Sequence, residues 1–150
     1  MRFKNNSVEI KSAREIEAMR EVCRLAADTL MRVGPMIRPG ITTEEINTFV
    51  HEDTLAKGAI PAPLDYHGFP KSVCTSVNEV VCHGIPTPKQ RLREGDIINV
   101  DVTHIYEGFH GDTSATFYVG EVSERARLVT EVSRRSLELA IAEVKPGARL

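Results

Sequence analysis

The chain has 150 residues and a net charge of −2, and its hydrophobic fraction of 41% and charged fraction of 27% are those of a soluble globular protein. This length suits one domain with a sizeable core, the charge excludes the basic surface of a nucleic-acid-binding protein, and no apolar stretch approaches the roughly 18 residues that a membrane span needs. Its three cysteines form no Cys-x-x-Cys pair and its start has no apolar signal-peptide segment, so we expect a reduced, cytoplasmic location.

Two amphipathic helices are predicted in the first third of the chain. A short leader at residues 1–11 precedes Ser12, which opens a capping-box pattern, and apolar residues at helical spacing then predict a helix from about 13 to 34. A Pro-Gly pair ends this helix. A second capping box at Thr42 predicts a helix that reaches about Lys57.

An irregular loop and a hairpin are predicted next. Residues 58–71 contain several prolines together with Tyr66 and Phe69, and a long aromatic loop of this kind is often functional, although a proline-stiffened connector fits the composition equally well. Residues 72–82 predict a β-hairpin that turns at Asn78.

Two cysteines lie within the predicted hairpin. Cys74 and Cys82 lack the four ligands of a structural zinc site, and we expect them to be small residues in packed surroundings. Cys74 is also a candidate to line a pocket with Tyr66 and Phe69.

Two further strands, near 96–104 and 110–119, flank a Gly-containing turn at residues 106–109. If a two-residue loop joins them, Asp101 and Asp112 lie on one face of the sheet, opposite or diagonal to each other. Two converging carboxylates repel each other unless a cation lies between them, which favours a divalent metal site. Solvated or backbone-capping aspartates are the alternative, because such residues are common near turns.

The last predicted element is a helix from about 124 to 144 with Ser123 as its cap. Its apolar stripe consists of Leu128, Val132, Leu137 and Ile141. The first and last helices are followed by Arg-Pro-Gly and Lys-Pro-Gly segments that lie 107 residues apart. This spacing suggests a weak internal repeat, while a generic Pro-Gly helix stop explains the same residues equally well.

Histidines supply the remaining candidates. His83 follows an apolar strand and, beside two convergent carboxylates, becomes a candidate metal ligand, proton carrier or substrate contact, with a partly buried structural histidine as the alternative. His110 is predicted to share a face with Asp112 and to support it. We expect His51 to be solvated, and His104 carries no clear signal.

Three long motifs, at residues 66–86, 95–101 and 108–114, resemble those of the type I methionine aminopeptidases in order and spacing. The resemblance covers essentially all of the chain and implies that residues 12–150 are the N-terminal portion of a single catalytic domain, whose second half would follow. It implies the α+β pita-bread (creatinase/aminopeptidase) fold, a pseudo-two-fold β-sheet flanked by helices, which agrees with the suspected repeat.

The resemblance also implies a function. By this resemblance, a hydroxide activated by two divalent ions (Co, Mn, Fe or Zn) would remove the initiator methionine from nascent proteins with a small second residue. Asp101 would bind one metal and Asp112 would bridge both, and His83 would contact the substrate and assist the leaving group. The residues expected to line the substrate pocket are Tyr66, His67, Phe69, Cys74 and His83. Thr103 and His110 are expected to support the metal ligands. Asn78 and Val80 are expected to bind a monovalent cation, Na or K.

The chain departs from the family pattern in its ligand set. The family uses two Asp, one His and two Glu, and only the two aspartates match here, since the others belong to the second half. Two carboxylates alone hold a transition metal weakly, so we expect that this chain by itself is not a competent peptidase. Pro63 stands where some members have a cysteine near the pocket.

The expected partners are the N-terminal peptide of a nascent protein and the ribosome, without direct contact with nucleic acid or membrane, and the complete protein is expected to be a monomer. Two alternative functions stay open at this point. One is an Xaa-Pro peptidase or creatinase-like enzyme on the same fold. The other is a non-catalytic module that binds peptides without metal.

Overall fold

The computed structural model describes residues 9–149, so most of the predicted leader lies outside the described residues. These residues form an α+β fold in which the first two of three helices pack against one face of a four-stranded sheet. The helices are α1 (Ala13–Val33), α2 (Thr43–Ala56) and α3 (Glu124–Glu143), and the strands are β1 (Ile60–Pro61), β2 (Cys74–Val77), β3 (Ile97–Tyr106) and β4 (Phe109–Tyr118). No helix in this part of the chain has the length and apolarity to cross a membrane.

Side-chain caps fix the starts of the helices, as predicted. In α1 the Ser12 hydroxyl accepts a hydrogen bond from the Glu15 amide (3.4 Å), and the Ser12 amide donates to the Glu15 carboxylate (2.7 Å). Thr42 and Glu45 repeat this arrangement at the start of α2. Such caps satisfy amides that have no partner within the helix, and each is worth about 1 kcal/mol.

β3 is the central strand. Along one edge it pairs with β4 over its whole length, and along the other edge it pairs first with β2 and then with the short β1. Tyr106 pairs with Phe109, so the turn of the predicted hairpin contains only Glu107 and Gly108. Both have positive φ (49° and 81°), as in the type I′ turn that matches the twist of antiparallel strands.

The core lies between α1, α2 and one face of the sheet. Residues along β3 alternate between this buried face and the opposite, partly open face. Gly111 on β4 permits close packing, because a Cβ there would lie 2.5 Å from the backbone carbonyl of Val22 on α1. The completely buried side chains of the core include Val22, Ala26, Val33, Ile46, Val50, Val100 and Val102.

The predicted hairpin at residues 72–82 is wrong in its pairing. β2 pairs with β3, and no strand follows it at residues 80–82. Asn78 takes a left-handed conformation (φ 52°), and the Val80 amide closes a turn onto the Val77 carbonyl (3.1 Å). The chain therefore leaves the sheet, and Val81 is 93% exposed. β3 is a longer and more buried pairing partner for β2 than residues 80–82 would be.

Candidate active site

The acidic pair lies on the open face of the β3–β4 hairpin. Asp112 pairs with Thr103 and Asp101 pairs with Ser114, so the two aspartates are diagonal neighbours on one face. Asp101 is half-buried and Asp112 is exposed. The pairing register thus brings together the two carboxylates that the sequence singled out.

The electrostatics of this pair favour a cation. Burial, repulsion by the Asp112 carboxylate and a hydrogen bond to Asp112 together raise the pKa of Asp101 to about 6, although His83 acts in the opposite direction. The ionised form of Asp101 is therefore costly in the absence of a positive partner. A divalent ion between the carboxylates would remove this cost.

A cavity of about 710 Å³ opens beside the acidic pair. It contains the candidate substrate, ligand and supporting residues together, although their individual roles stay predictions. Those that line it are Tyr66, His67, Phe69, Cys74, His83, Asp101, Thr103, His110 and Asp112. Asn78 and Val80 are not among the lining residues; the Asn78 side chain instead donates to Asp96 (2.8 Å) and accepts from the Ile97 amide (3.0 Å).

The aromatic loop forms one wall of the cavity through an unusual backbone. Asp65 and His67 both take left-handed conformations (φ 66° and 49°), and the Asp65 amide closes the loop by donating to the Phe69 carbonyl (2.8 Å). The rings of Tyr66 and His67 meet edge to face, with centroids 4.4 Å apart. Left-handed non-glycine residues are costly and concentrate at functional sites, which favours the functional interpretation of this loop over a simple connector.

His83 is held at the cavity by the backbone around it. It is itself left-handed (φ 54°), and its neighbour Gly84 lies so close to β2 that a Cβ would be 2.1 Å from the Thr75 carbonyl oxygen. The Thr75 amide donates to the Gly84 carbonyl (2.8 Å), and the Gly84 amide donates to the Ser76 hydroxyl (3.2 Å). Only glycine fits this approach, so any side chain at position 84 would displace His83.

The cysteines and His51 differ in part from expectation. Cys74 is buried opposite Asp101, and burial, together with the Asp101 carboxylate, raises the pKa of its thiol to about 11. It therefore stays an uncharged wall of the cavity at neutral pH. Cys82 is exposed rather than packed. His51 is not solvated as expected but half-buried, with Nδ1 2.8 Å from the Ser72 hydroxyl.

The ligand set for a metal is incomplete within the described residues. Among residues 9–149 no group of three or more His, Cys, Asp or Glu side chains is arranged to hold a metal ion. Two carboxylates provide hard oxygen donors that suit a divalent ion, but they do not fix its geometry. The acidic pair therefore fits part of a metal centre and needs further ligands to complete it.

Some features of the site escaped sequence analysis. Ala62 and Ile85 also line the cavity, beside Pro63, and their closeness in sequence to Tyr66 and His83 was the available signal. His104 is completely buried, although its sequence gave no clear signal. Its position in the alternating pattern of β3, two residues after Val102 and four after Val100, indicated that its side chain lies on the inner face of the sheet.

Comparison with known proteins identifies the class. The sequence model of metallopeptidase family M24 matches residues 17–150. The chain therefore belongs to metallopeptidase family M24. This family assignment implies divalent metal ions, in agreement with the acidic pair.

Its relatives within the family are methionine aminopeptidases. Methionine aminopeptidase A of Synechocystis sp. is 52% identical over 145 residues, which are 97% of this chain and 57% of the relative. Methionine aminopeptidase 1A of Arabidopsis thaliana is 52% identical over 142 residues, which are 95% of this chain and 35% of the relative. The chain thus spans about half the length, or less, of these relatives.

Solved structures confirm the predicted α+β pita-bread fold. The methionine aminopeptidase from Thermotoga maritima superposes with a TM-score of 0.90 at 39% identity, covering 94% of this chain and 57% of that one. A prolidase from Pyrococcus horikoshii shares the fold at a TM-score of 0.78 with 22% identity, covering 92% of this chain and 38% of that one.

Proposed function

We propose that this chain supplies the first part of the active site of a methionine aminopeptidase, which removes the initiator methionine from nascent proteins with a small second residue. The observation that carries the proposal is the convergence of Asp101 and Asp112 on one sheet face beside an aromatic cavity. The 52% identity to methionine aminopeptidases over nearly the whole chain supports the choice of substrate.

The residues divide the work by position. Asp101 and Asp112 would hold two divalent ions, of Co, Mn, Fe or Zn, together with ligands from elsewhere. These ions, when bound, supply a Lewis acid that activates water at neutral pH. His83 contacts the peptide at the scissile bond and carries a proton for the leaving amine. Thr103 and His110, which line the same cavity, would support the two carboxylates from the same face.

The cavity suits a methionine side chain. Its volume of about 710 Å³ lies within the ordinary range for small-molecule pockets. Tyr66, His67 and Phe69 form an aromatic wall, and the uncharged thiol of Cys74, which pairs with Asp101 in the sheet, also lines the cavity. A flexible thioether packs well against aromatic rings, with contacts worth about 0.3–1.5 kcal/mol each.

Further partners follow from the same proposal. The turn at Asn78 and Val80 binds a monovalent cation, Na or K, outside the cavity. The substrate is the N-terminal peptide of a protein emerging from the ribosome, in the cytoplasm. The complete protein acts as a monomer.

Two other functions are weaker. An Xaa-Pro peptidase is disfavoured because the prolidase from Pyrococcus horikoshii is only 22% identical, against 52% for the curated methionine aminopeptidases. A non-catalytic peptide-binding module is disfavoured because it gives no reason for two mutually repelling carboxylates on one face. Metal content measured on a complete protein separates this last function from the enzymes.

A chimera tests the proposal directly. Residues 9–149 replace the matching segment of the Synechocystis enzyme, and release of methionine from Met-Gly-Met is measured with Mn²⁺ or Co²⁺. We expect activity that a chelator abolishes and that Asp101→Asn or Asp112→Asn reduces to the level without metal. Gly-Pro-Met serves as the Xaa-Pro substrate and should stay intact.

Two outcomes would contradict the proposal. One is a folded chimera that binds metal but leaves Met-Gly-Met intact, and the other is cleavage that survives both Asp→Asn changes. The 150-residue chain alone is the matched control. Because its ligand set is incomplete, we expect it to release no methionine at a rate typical of the family.

A further inference from the structure

The segment at residues 78–83 runs through solvent between two strained ends. It leaves β2 at Asn78 and reaches the cavity at His83, and both residues take left-handed conformations (φ 52° and 54°). All six residues are exposed, so side-chain packing does little to hold them. Because a left-handed residue other than glycine is costly, the surrounding structure has to keep it in place. The position of the His83 imidazole therefore depends on how the ends of this segment are anchored.

Asn78 anchors the first end to the start of β3. Its amide donates to the Ile97 carbonyl (3.0 Å), and its side chain accepts a hydrogen bond from the Ile97 amide (3.0 Å) and donates one to Asp96 (2.8 Å). The exposed residues 79–82 separate this anchor from His83. These bonds fix where the segment starts, but they do not fix the direction of the imidazole.

Gly84 anchors the second end to β2, along the edge that does not pair with β3. The Thr75 amide donates to the Gly84 carbonyl (2.8 Å), and the Gly84 amide donates to the Ser76 hydroxyl (3.2 Å). In a regular antiparallel ladder, two paired residues exchange both bonds between their backbones. Here the Ser76 side chain takes the place of the second backbone acceptor.

The position of Ser76 is fixed by the same sheet that carries the acidic pair. Ser76 is only 4% exposed and pairs with Asn99 of β3. Cys74 lies two residues earlier on the same face of β2 and pairs with Asp101. The hydroxyl that accepts the Gly84 amide is therefore held in register with Asp101. This contact connects the backbone beside His83 to the acidic pair through β2 and β3.

Thr75 provides a contrast within the same strand. It pairs with Val100 of the inner face, and its side chain is buried. Among the described residues its hydroxyl has no hydrogen-bond partner, and its contact with Gly84 uses the backbone amide. The anchor thus does not need the Thr75 hydroxyl, whereas the Ser76 hydroxyl is part of it.

We propose that Ser76 is a positioning residue for His83, because its buried hydroxyl accepts the Gly84 amide and so holds the imidazole in the cavity beside Asp101. The kinetic consequence rests on the proposed function, in which His83 contacts the peptide and carries a proton for the leaving amine. The hydrogen bond itself is open to a test on the 150-residue chain, without substrate or metal.

Amide hydrogen exchange by NMR tests the anchor in the 150-residue chain. The Gly84 amide should be protected in the wild type, because it donates to a buried hydroxyl. Ser76→Ala should speed its exchange about three- to tenfold, as expected for the loss of one hydrogen bond. Ser76→Thr keeps a hydroxyl and should keep the protection. Thr75→Val is the matched control and should leave the exchange of the Gly84 amide unchanged.

Kinetics of the Synechocystis chimera test the positioning. Ser76→Ala should lower kcat for Met-Gly-Met about ten- to hundredfold with little change in KM, because a misplaced proton carrier affects the transition state more than substrate binding. Ser76→Thr should restore most of kcat, and Thr75→Val should keep it. In a His83→Ala background, Ser76→Ala should have almost no further effect, whereas a loss through general destabilisation would persist there.

Three results would overturn the proposal. They are unchanged Gly84 exchange in Ser76→Ala, equal losses of kcat in Ser76→Ala and Thr75→Val, and the same loss from Ser76→Ala with and without His83. If Ser76→Ala does not fold, the wild-type Gly84 amide decides, since an unprotected amide would exclude the anchor. A wild-type chimera that releases no methionine would contradict the proposed function, while the exchange of the Gly84 amide would still test the anchor.

Discussion

The two faces of β3 place opposite demands on their side chains. On the inner face Val100, Val102 and His104 are completely buried, and the polar member has its partners within the protein. On the outer face Asp101 and Thr103 are half-buried, and the carboxylate faces another carboxylate instead of a cation. Stability is therefore concentrated on the inner face, whereas the outer face carries a cost that ligand binding would offset.

Helices α1 and α3 show the same contrast at a larger scale. They have 21 and 20 residues, and a serine caps each of them. α1 covers the inner face of the sheet with five buried residues, whereas α3 buries none within the described part of the chain. Its predicted apolar stripe is open, with Leu128 62% and Leu137 61% exposed. An amphipathic pattern thus predicts a face, but packing decides whether the face contributes stability.

The largest expected effect on the free energy of unfolding distinguishes α1 from α3. Leu30→Ala on α1 leaves a cavity in the core and should lower the free energy of unfolding by about 2–5 kcal/mol. Leu137→Ala on α3 is the matched control and should change it by no more than about 0.5 kcal/mol, because that side chain is already exposed. Urea unfolding measures both. Equal losses would mean that α3 packs against something in solution and would break the comparison.

The next effect tests polar groups on the same two helices. Thr29→Val removes the hydroxyl that serves Asp53, Lys57 and His104, and should cost about 1–3 kcal/mol. Thr130→Val on α3 is the control. In the described part of the chain the Thr130 hydroxyl donates only to the Ala126 carbonyl, four residues earlier (3.0 Å). The Thr29 hydroxyl has the equivalent contact with the Leu25 carbonyl, so the two variants differ in the buried network alone. A small effect of Thr29→Val would show that the buried network contributes little.

On the outer face of the sheet, removal of a polar side chain should raise the free energy of unfolding instead of lowering it. The pKa of Asp101 is raised to about 6 from 3.8, so the folded state binds more protons than the unfolded state between these values, and stability falls as pH rises through them. At pH 7 Asp101→Asn should therefore stabilise the metal-free chain, by about 1–2 kcal/mol after allowance for partial exposure. The same change should weaken Mn²⁺ binding by calorimetry. Destabilisation by Asp101→Asn would contradict the assigned cost of the acidic pair.

The smallest effect compares the two caps. Ser12→Ala should lower the free energy of unfolding by about 1 kcal/mol, because α1 is part of the cooperative core. Ser123→Ala removes a similar bond, from the Ala126 amide (3.2 Å), but should fray α3 locally. Amide hydrogen exchange resolves this, with faster exchange confined to the first turn of α3. If Ser12→Ala and Ser123→Ala lowered the free energy of global unfolding equally, α3 would have to unfold together with the core.

Much of the acidic site was predictable from local sequence. A two-residue turn containing Gly108 fixes the register of the hairpin, and strand alternation then places Asp101 and Asp112 on one face. The failed hairpin at residues 72–82 shows the limit of this reasoning. Strand-forming residues at 80–82 had no buried partner, and the availability of β3 for β2 is not a local property.

The sequence by itself determined the helix starts, the hairpin register and the motifs of family M24, because caps, turn residues and alternation act over a few neighbouring positions. Only the tertiary structure decided how His104 finds Thr29, 75 residues earlier, and how Asp53 finds the same hydroxyl across 24 residues. It also decided that α1 is buried and α3 is not. Burial depends on which surfaces meet, and that depends on the whole chain at once.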